Sequence, residues 1–239
     1  MIVPATRAVA ALRMRAAVAR HHGDSVCCPV CGHQFDRFKD DRNRPNALCW
    51  RCGSQERHRA QWLLLERRPQ LLGRARSLLH FAPEWCLRQR LRVLPGLRYV
   101  TADLVPDGVD LQLDVTKLDL ADGAFDAVIC SHVLEHVPDD AAAMAELRRI
   151  TAPGGWCLVM VPIALERKRT HEDGAITAPQ DREREFLQHD HVRLYAPDIA
   201  DRLSRAGFDV EVIDLDAELG DQAERYRLLP SDLAFLCRR

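Results

Sequence analysis

No apolar run in this 239-residue chain approaches the roughly 20 residues needed to cross a bilayer, so a helical membrane span is excluded at the level of sequence. The first residues carry no continuous apolar segment of the kind that marks a secretory leader. A cytoplasmic location is therefore expected. Internal repeats and low-complexity tracts are also missing. The nine cysteines are an odd number and do not make a secreted disulfide framework. Four stand in two Cys-x-x-Cys pairs and four more are scattered through apolar segments, which reads as a metal site plus reduced core thiols. Net charge is only −1, but it is unevenly placed. Residues 1–75 hold fourteen Lys/Arg against six Asp/Glu, and the remainder holds twenty against twenty-nine. A basic front on an acidic body can serve nucleic acid or an anionic substrate, or can be solvated charge.

What is present fits one α/β domain with a small module in front. Residues 1–25 are Ala- and Arg-rich and predict an N-terminal extension or loosely held helix. Residues 26–53 contain Cys28-Pro-Val-Cys31-Gly and Cys49-Trp-Arg-Cys52-Gly, with seventeen residues between the pairs. Two such turns facing each other make a tetrahedral sulfur cage that suits zinc, with Cys28, Cys31, Cys49 and Cys52 as ligands. A segment this small has little core of its own, so metal binding would also be its folding energy. Arg37, Lys39, Arg42, Arg44, Arg51, Arg57 and Arg59, with Phe35, Phe38 and Trp50 for stacking, could face RNA; alternatively they form the module's own core and seam. A helix over 54–72, capped by Ser54, is expected to link the module to a main domain from 76 to 239.

The stretch from Phe125 to Ile163 organises that domain. Phe125–Cys130 and Trp156–Val161 read as buried parallel strands, with Ala141–Ile150 as the helix between them and Pro153-Gly154-Gly155 as the turn. Ser77–Ala82, Leu97–Asp103 and Val109–Asp114 read as earlier strands, Pro197–Ala206 as a helix, and Phe208–Leu215 and Leu233–Cys237 as final strands. Residues 164–196 are too long for a plain connection and predict a lid or recognition insertion. Its tail gathers His189, His191 and Arg193.

The segments FDAVICSHVLEHV and PGGW resemble the class I S-adenosylmethionine-dependent methyltransferases. The opening CPxCG ribbon and the string Gly53-Ser54-Gln55-Glu56-Arg57-His58-Arg59 resemble a bacterial subgroup of them. The resemblance implies a Rossmann-like, doubly wound, seven-stranded, mostly parallel sheet ending in an antiparallel pair. It implies S-adenosylmethionine as cofactor beside zinc. It places cofactor contacts at His80, Ala82, Glu84, Asp103, Leu104, Asp114, Val115 and Ser131. Asp103 would accept from both ribose hydroxyls, and Asp114 with the Val115 N–H would hold the adenine edge. The sequence departs from the family where a Gly-rich loop is usual: His80-Phe81-Ala82-Pro83-Glu84 contains no glycine.

An oxygen nucleophile must lose a proton, and His132, His136 and His191 are the candidate bases, with His189 beside them. Ser131-His132 stands where enzymes that methylate base amino groups carry Asn/Asp-Pro-Pro-aromatic. The expected activity is therefore methyl transfer to a small molecule, sugar or natural product, most readily at oxygen. An RNA methyltransferase docking through the basic ribbon, or a binding protein that has lost catalysis, are the alternatives.

Overall fold

The computed structural model describes residues 3–42 and 44–239, so the first two residues of the expected N-terminal extension lie outside it. A helix, α1 (Val3–Arg20), leads into four short strands, β1 (His22–Cys27), β2 (Gln34–Phe35), β3 (Lys39–Asp41) and β4 (Arg44–Leu48), paired antiparallel as β1–β2 and β3–β4. Two helices follow where one was expected: α2 (Glu56–Arg67) and α3 (Pro69–Arg74). Pro69 has no N–H and its ring clashes with the preceding turn, so it ends one helix and begins the next. The cap of α2 is Gln55, in a reciprocal capping box with His58, and not Ser54. Ser54 is buried, with its Oγ 3.1 Å from Cys28 Sγ.

The main sheet is assembled from β5 (Ser77–Phe81), β6 (Arg98–Asp103), β7 (Leu111–Gln112), β8 (Phe125–Ser131) and β9 (Thr151–Met160), with α4 (Trp85–Leu91) after β5 and α5 (Asp140–Ile150) after β8. The insertion folds as β10 (His171–Glu172), α6 (Pro179–Phe186) and β11 (Arg193–Leu194). The chain ends with α7 (Ile199–Arg205), β12 (Asp209–Ile213), α8 (Leu215–Leu219), α9 (Gln222–Tyr226) and β13 (Ala234–Arg238). The seven strands run in the order β12-β13-β9-β8-β5-β6-β7, with β13 antiparallel to both neighbours and the other six pointing one way. This is the expected mostly parallel, doubly wound sheet. Chain order reverses between β5 and β8, and ligands of such sheets bind beyond the carboxyl ends at that point.

Two strand expectations need correction. The third strand is only Leu111–Gln112, because Asp110 leaves the ladder to bond Thr101 through N–H and carboxylate. Pro153-Gly154-Gly155 is not a turn between helix and strand: β9 already runs from Thr151, and the irregularity lies within it. A Cβ at Gly155 would meet Asp126 O at 2.5 Å, so only glycine allows β8 and β9 to close there.

Alternate residues of the sheet feed two cores. Leu78, Ala127, Ile129, Leu158 and Leu236 pack with Trp62 and Leu64 of α2 and Leu87 of α4. Leu79, Val128, Cys130, Val159 and Phe235 pack with Leu147 of α5 and Leu203 of α7. Each Leu, Ile, Val or Phe side chain among them contributes roughly 1.5–3 kcal/mol of burial. Cys86, Cys130, Cys157 and Cys237 are all buried free thiols, and burial pushes each pKa up, as reduced core cysteines require. No helix among the described residues is long and apolar enough to cross a membrane.

Candidate active site

The four knuckle cysteines converge. Cys28 and Cys52 Sγ are 3.6 Å apart, as are Cys31 and Cys49, and all four sulfurs lie within 4.8 Å of one another. Zinc–sulfur bonds of about 2.3 Å in a tetrahedron need sulfurs at about that spacing, so the donors fit zinc. Each knuckle closes identically: Gly32 N–H donates to Cys28 O and Gly53 N–H to Cys49 O, with both glycines at φ near +70°. Cys27 stands outside the cluster.

Of the two readings of the ribbon's stacking and cationic residues, the module's own core and seam is the one that Phe35, Phe38 and Arg59 follow. Phe35, Phe38 and Arg59 are each 0 % exposed. Arg59 lies over the Phe38 ring and donates to Ala47 O, Ser54 O, Tyr226 O and Arg227 O, bolting ribbon to α9. Trp50 stacks on His21 at 4.1 Å, Arg37 pairs with Asp40, and Arg44 pairs with Asp41 and Glu56.

Beyond the carboxyl ends of β5, β6 and β8 lies a mostly apolar cleft of about 700 Å³. Ala82, Asp103, Leu104, Asp114 and Val115, five of the residues expected to contact cofactor, line it together with Val105, His132 and His136. Leu104 and Val105 are more than 60 % exposed, an apolar wall that the fold itself does not cover. Asp103 Oδ1 accepts the Val105 N–H at 3.0 Å, leaving Oδ2 free. Asp114 Oδ1 accepts the Thr116 N–H and hydroxyl, which hold its carboxyl below the ordinary range. Ala82 and His132, which end β5 and β8, both sit in the left-handed region, at φ +44° and +54°. A non-glycine there is a strained turn of the kind that gathers at functional sites.

Three expected cofactor residues, His80, Glu84 and Ser131, are not on the cleft wall. His80 is fully buried: the Tyr99 hydroxyl donates to Nδ1 at 2.9 Å, and Nε2–H donates to Glu84 at 3.1 Å. Burial pushes the Glu84 carboxyl up, but the His80 hydrogen bond and the neighbouring imidazoles outweigh it and hold the pKa at about 2. The other oxygen of Glu84 is 3.6 Å from His58 Nε2, and neither atom has a hydrogen-bond partner among the described residues. Burial lowers His58 to about 4. Ser131 Oγ is likewise buried and unpartnered. So are Arg57 Nε, Glu135 Oε2 and Asp232 Oδ2, and burial with the nearby Glu56 charge pushes Asp232 up to about 6. Six buried polar atoms without partners are costly unless a charged ligand meets them. Arg57, His58 and Asp232 carried no such signal in the sequence, because their burial depends on α2 packing against the loop before β13.

A second cleft, of about 1040 Å³, is walled by the ribbon side (Arg42, Arg44, Arg57), by the insertion (Glu185, Gln188, His191) and by Asp232. His132, His136 and Asp190 line both clefts, so the two meet there. His132 Nδ1 is 3.1 Å from the buried Glu135 Oε1. His191 is 2 % exposed, with Nδ1–H donating to Phe186 O, and burial lowers its pKa. His189 is exposed and lines neither cleft. Arg193 is buried, donating to Leu134 O, Val137 O and Pro138 O and pairing with Glu172, which pins the insertion to the turn after β8.

Residues 74–159 match the family described as "Methyltransferase domain". Over 46 residues the chain is 48% identical to the demethylmenaquinone methyltransferase of Mycolicibacterium vanbaalenii, covering 19% of this chain and 20% of that protein. Over 34 residues it is 53% identical to the ubiquinone biosynthesis O-methyltransferase of Thiobacillus denitrificans, covering 14% and 15%. The matched stretches thus span a fifth or less of those relatives. The S-adenosylmethionine-dependent methyltransferase from Archaeoglobus fulgidus shares the fold, with a TM-score of 0.53 at 15% identity over 77% of this chain and 95% of that one.

Proposed function

We propose, for a chain that carries a class I S-adenosylmethionine-dependent methyltransferase domain, that it methylates an oxygen of a small-molecule acceptor and that its cysteine ribbon is a structural zinc module walling the acceptor site. The observation that carries this reading is the meeting of an apolar and a polar cleft at His132, His136 and Asp190. The apolar cleft suits the nucleoside of the cofactor. Asp103 Oδ2 would accept from the ribose hydroxyls, Asp114 and the Val115 N–H would hold the adenine edge, and Leu104 and Val105 would cover its face. The unpartnered Arg57 and Asp232 atoms, on the wall of the adjoining cleft, suit a carboxylate and an ammonium, the charges of the methionine end.

S-adenosylmethionine supplies a methyl group on a sulfonium that is already a good leaving group. The protein's work is then to position the acceptor, exclude water and take a proton. Ribbon and insertion do the first two by closing over the polar cleft from opposite sides. His132 does the third. Its Nδ1–H donates to Glu135, which sets the tautomer and leaves Nε2 as the base. Glu135 thus joins the site as the residue that orients the base. The relatives' names, demethylmenaquinone methyltransferase and ubiquinone biosynthesis O-methyltransferase, support a quinone-type acceptor, and the second supports oxygen as the atom methylated.

Calorimetric titration of the zinc-loaded protein with S-adenosylmethionine and S-adenosylhomocysteine tests the reading, followed by a turnover screen of quinols and catechols. Micromolar binding that is lost in Asp103→Ala supports it. Failure of a folded, zinc-replete chain to bind either compound sinks it.

A further inference from the structure

Within the second cleft, three side chains from two distant segments converge. Glu135 and His136 belong to the single helical turn after β8, and His191 arrives from the insertion just before β11. One carboxylate oxygen and two imidazole nitrogens from them lie within 4.8 Å of one another. Glu135 is 1 % exposed; Oε1 takes the His132 N–H, and Oε2 has no partner among the described residues. Leaving such an oxygen unmet costs on the order of 1–3 kcal/mol or more.

The two imidazoles are prepared in the same way. His191 Nδ1–H donates to Phe186 O at 3.0 Å, and His136 Nδ1 faces Asp190 Oδ2 at 3.3 Å. An oxygen acceptor behind Nδ1 fixes the tautomer that presents an unprotonated Nε2, the arrangement found behind metal-ligating histidines. The rings stand edge to face with centroids 4.7 Å apart. The one group on His191 Nε2 is the Gln188 amide at 2.9 Å, on an exposed side chain that is free to swing aside.

We propose that Glu135, His136 and His191 form a binding site for a divalent transition-metal ion, separate from the ribbon, with its open coordination positions facing the acceptor cleft. Two imidazoles and one carboxylate suit manganese, iron, cobalt, nickel or zinc, whereas four thiolates suit zinc and other soft ions. The two sites are therefore chemically distinct. The site itself rests on side-chain geometry alone; its role rests on the methyltransferase reading. An acceptor offering two adjacent oxygens would chelate the ion, which makes ionisation of a hydroxyl favourable near neutral pH, with the proton passing to His132 or to water. His136 and His191 are then ligands rather than bases, and His132 keeps that part alone.

The experiment is a Co²⁺ titration of the full chain carrying one equivalent of zinc in its ribbon, without cofactor. The expected result is a second equivalent bound at micromolar concentration, with weak visible bands and no sulfur-to-cobalt charge-transfer band. Glu135→Gln and His191→Gln, each checked for native near-ultraviolet circular dichroism, should weaken it at least tenfold. His189→Gln, at the exposed neighbour, should leave it unchanged. Absence of a second equivalent in the folded protein, or one that survives both substitutions, overturns the proposal. An S-adenosylhomocysteine titration on the same sample reads the cofactor site separately. Binding there without cobalt binding removes the metal site and leaves the methyltransferase reading standing, and the reverse result does the opposite.

Discussion

The two cysteine knuckles and the two strand ends at the cleft solve the same problem in opposite ways. Each knuckle reverses the chain through a glycine, Gly32 or Gly53, at positive φ and with open space around it. The ends of β5 and β8 also reverse at positive φ, but through Ala82 and His132. The knuckles are relaxed turns whose task is to point four sulfurs inward. The strand ends hold backbone strain of about 1–2 kcal/mol per residue. The β8 end turns His132 toward both clefts, and the orphaned polar atoms lie among the residues beside it. One region spends its sequence on stability, the other on placing groups for a ligand.

The largest effect expected from breaking this contrast is at the ribbon. Cys49→Ser, or removal of metal by a strong chelator, takes away several kcal/mol of folding energy. In a chain of this size that should appear as a fall in Tm on the order of 10 °C in a thermal melt. Because Arg59 bolts the ribbon to α9, the loss should extend beyond residues 26–53 and is measurable as faster amide exchange in α9. Next is Asp103→Ala at the end of β6. Loss of a charge-assisted pair of acceptors should weaken S-adenosylhomocysteine at least tenfold, with Tm almost unchanged.

Asp232→Asn sharpens the contrast through pH. The carboxyl titrates near 6 in the fold and lower when unfolded, because burial disfavours its charge. At pH 7 it is ionised in both states and the penalty is fully present; below about pH 4 it is protonated in both and the penalty is gone. The asparagine variant should therefore melt higher than the parent at pH 7, with the difference closing as pH falls through 6 toward 4. Cofactor binding should weaken in the same variant.

The smallest effects come from exchanging the two kinds of turn. Gly32→Ala should cost about 1 kcal/mol, since space is open and only φ is strained. Ala82→Gly should be neutral or stabilising by less than about 1 kcal/mol, the relief of φ offset by a freer unfolded chain. Chemical denaturation of both variants checks the opposite signs.

Much of this was legible beforehand. The strands could be read because they are continuous apolar runs; Asp103, Leu104, Asp114 and Val115 came from the family resemblance, and the fold sets them on one cleft wall. The direction of His80 and Glu84 could not be read because a strand-end motif does not say which way a side chain turns; Tyr99 and His58 draw them inward. The place of Arg193 could not be read because its partners are backbone carbonyls of 134, 137 and 138, which no residue type announces.

The four thiolates, the alternation of strand and helix, and the acids closing the strands were determined by the sequence alone, because each is set by spacing within a few residues. The junction of the two clefts, the burial of Arg57, His58 and Asp232, and the approach of His191 to Glu135 and His136 were decided only by the tertiary structure. Those residues are tens of positions apart, and their chemistry depends on which partners the packed chain supplies and which it withholds.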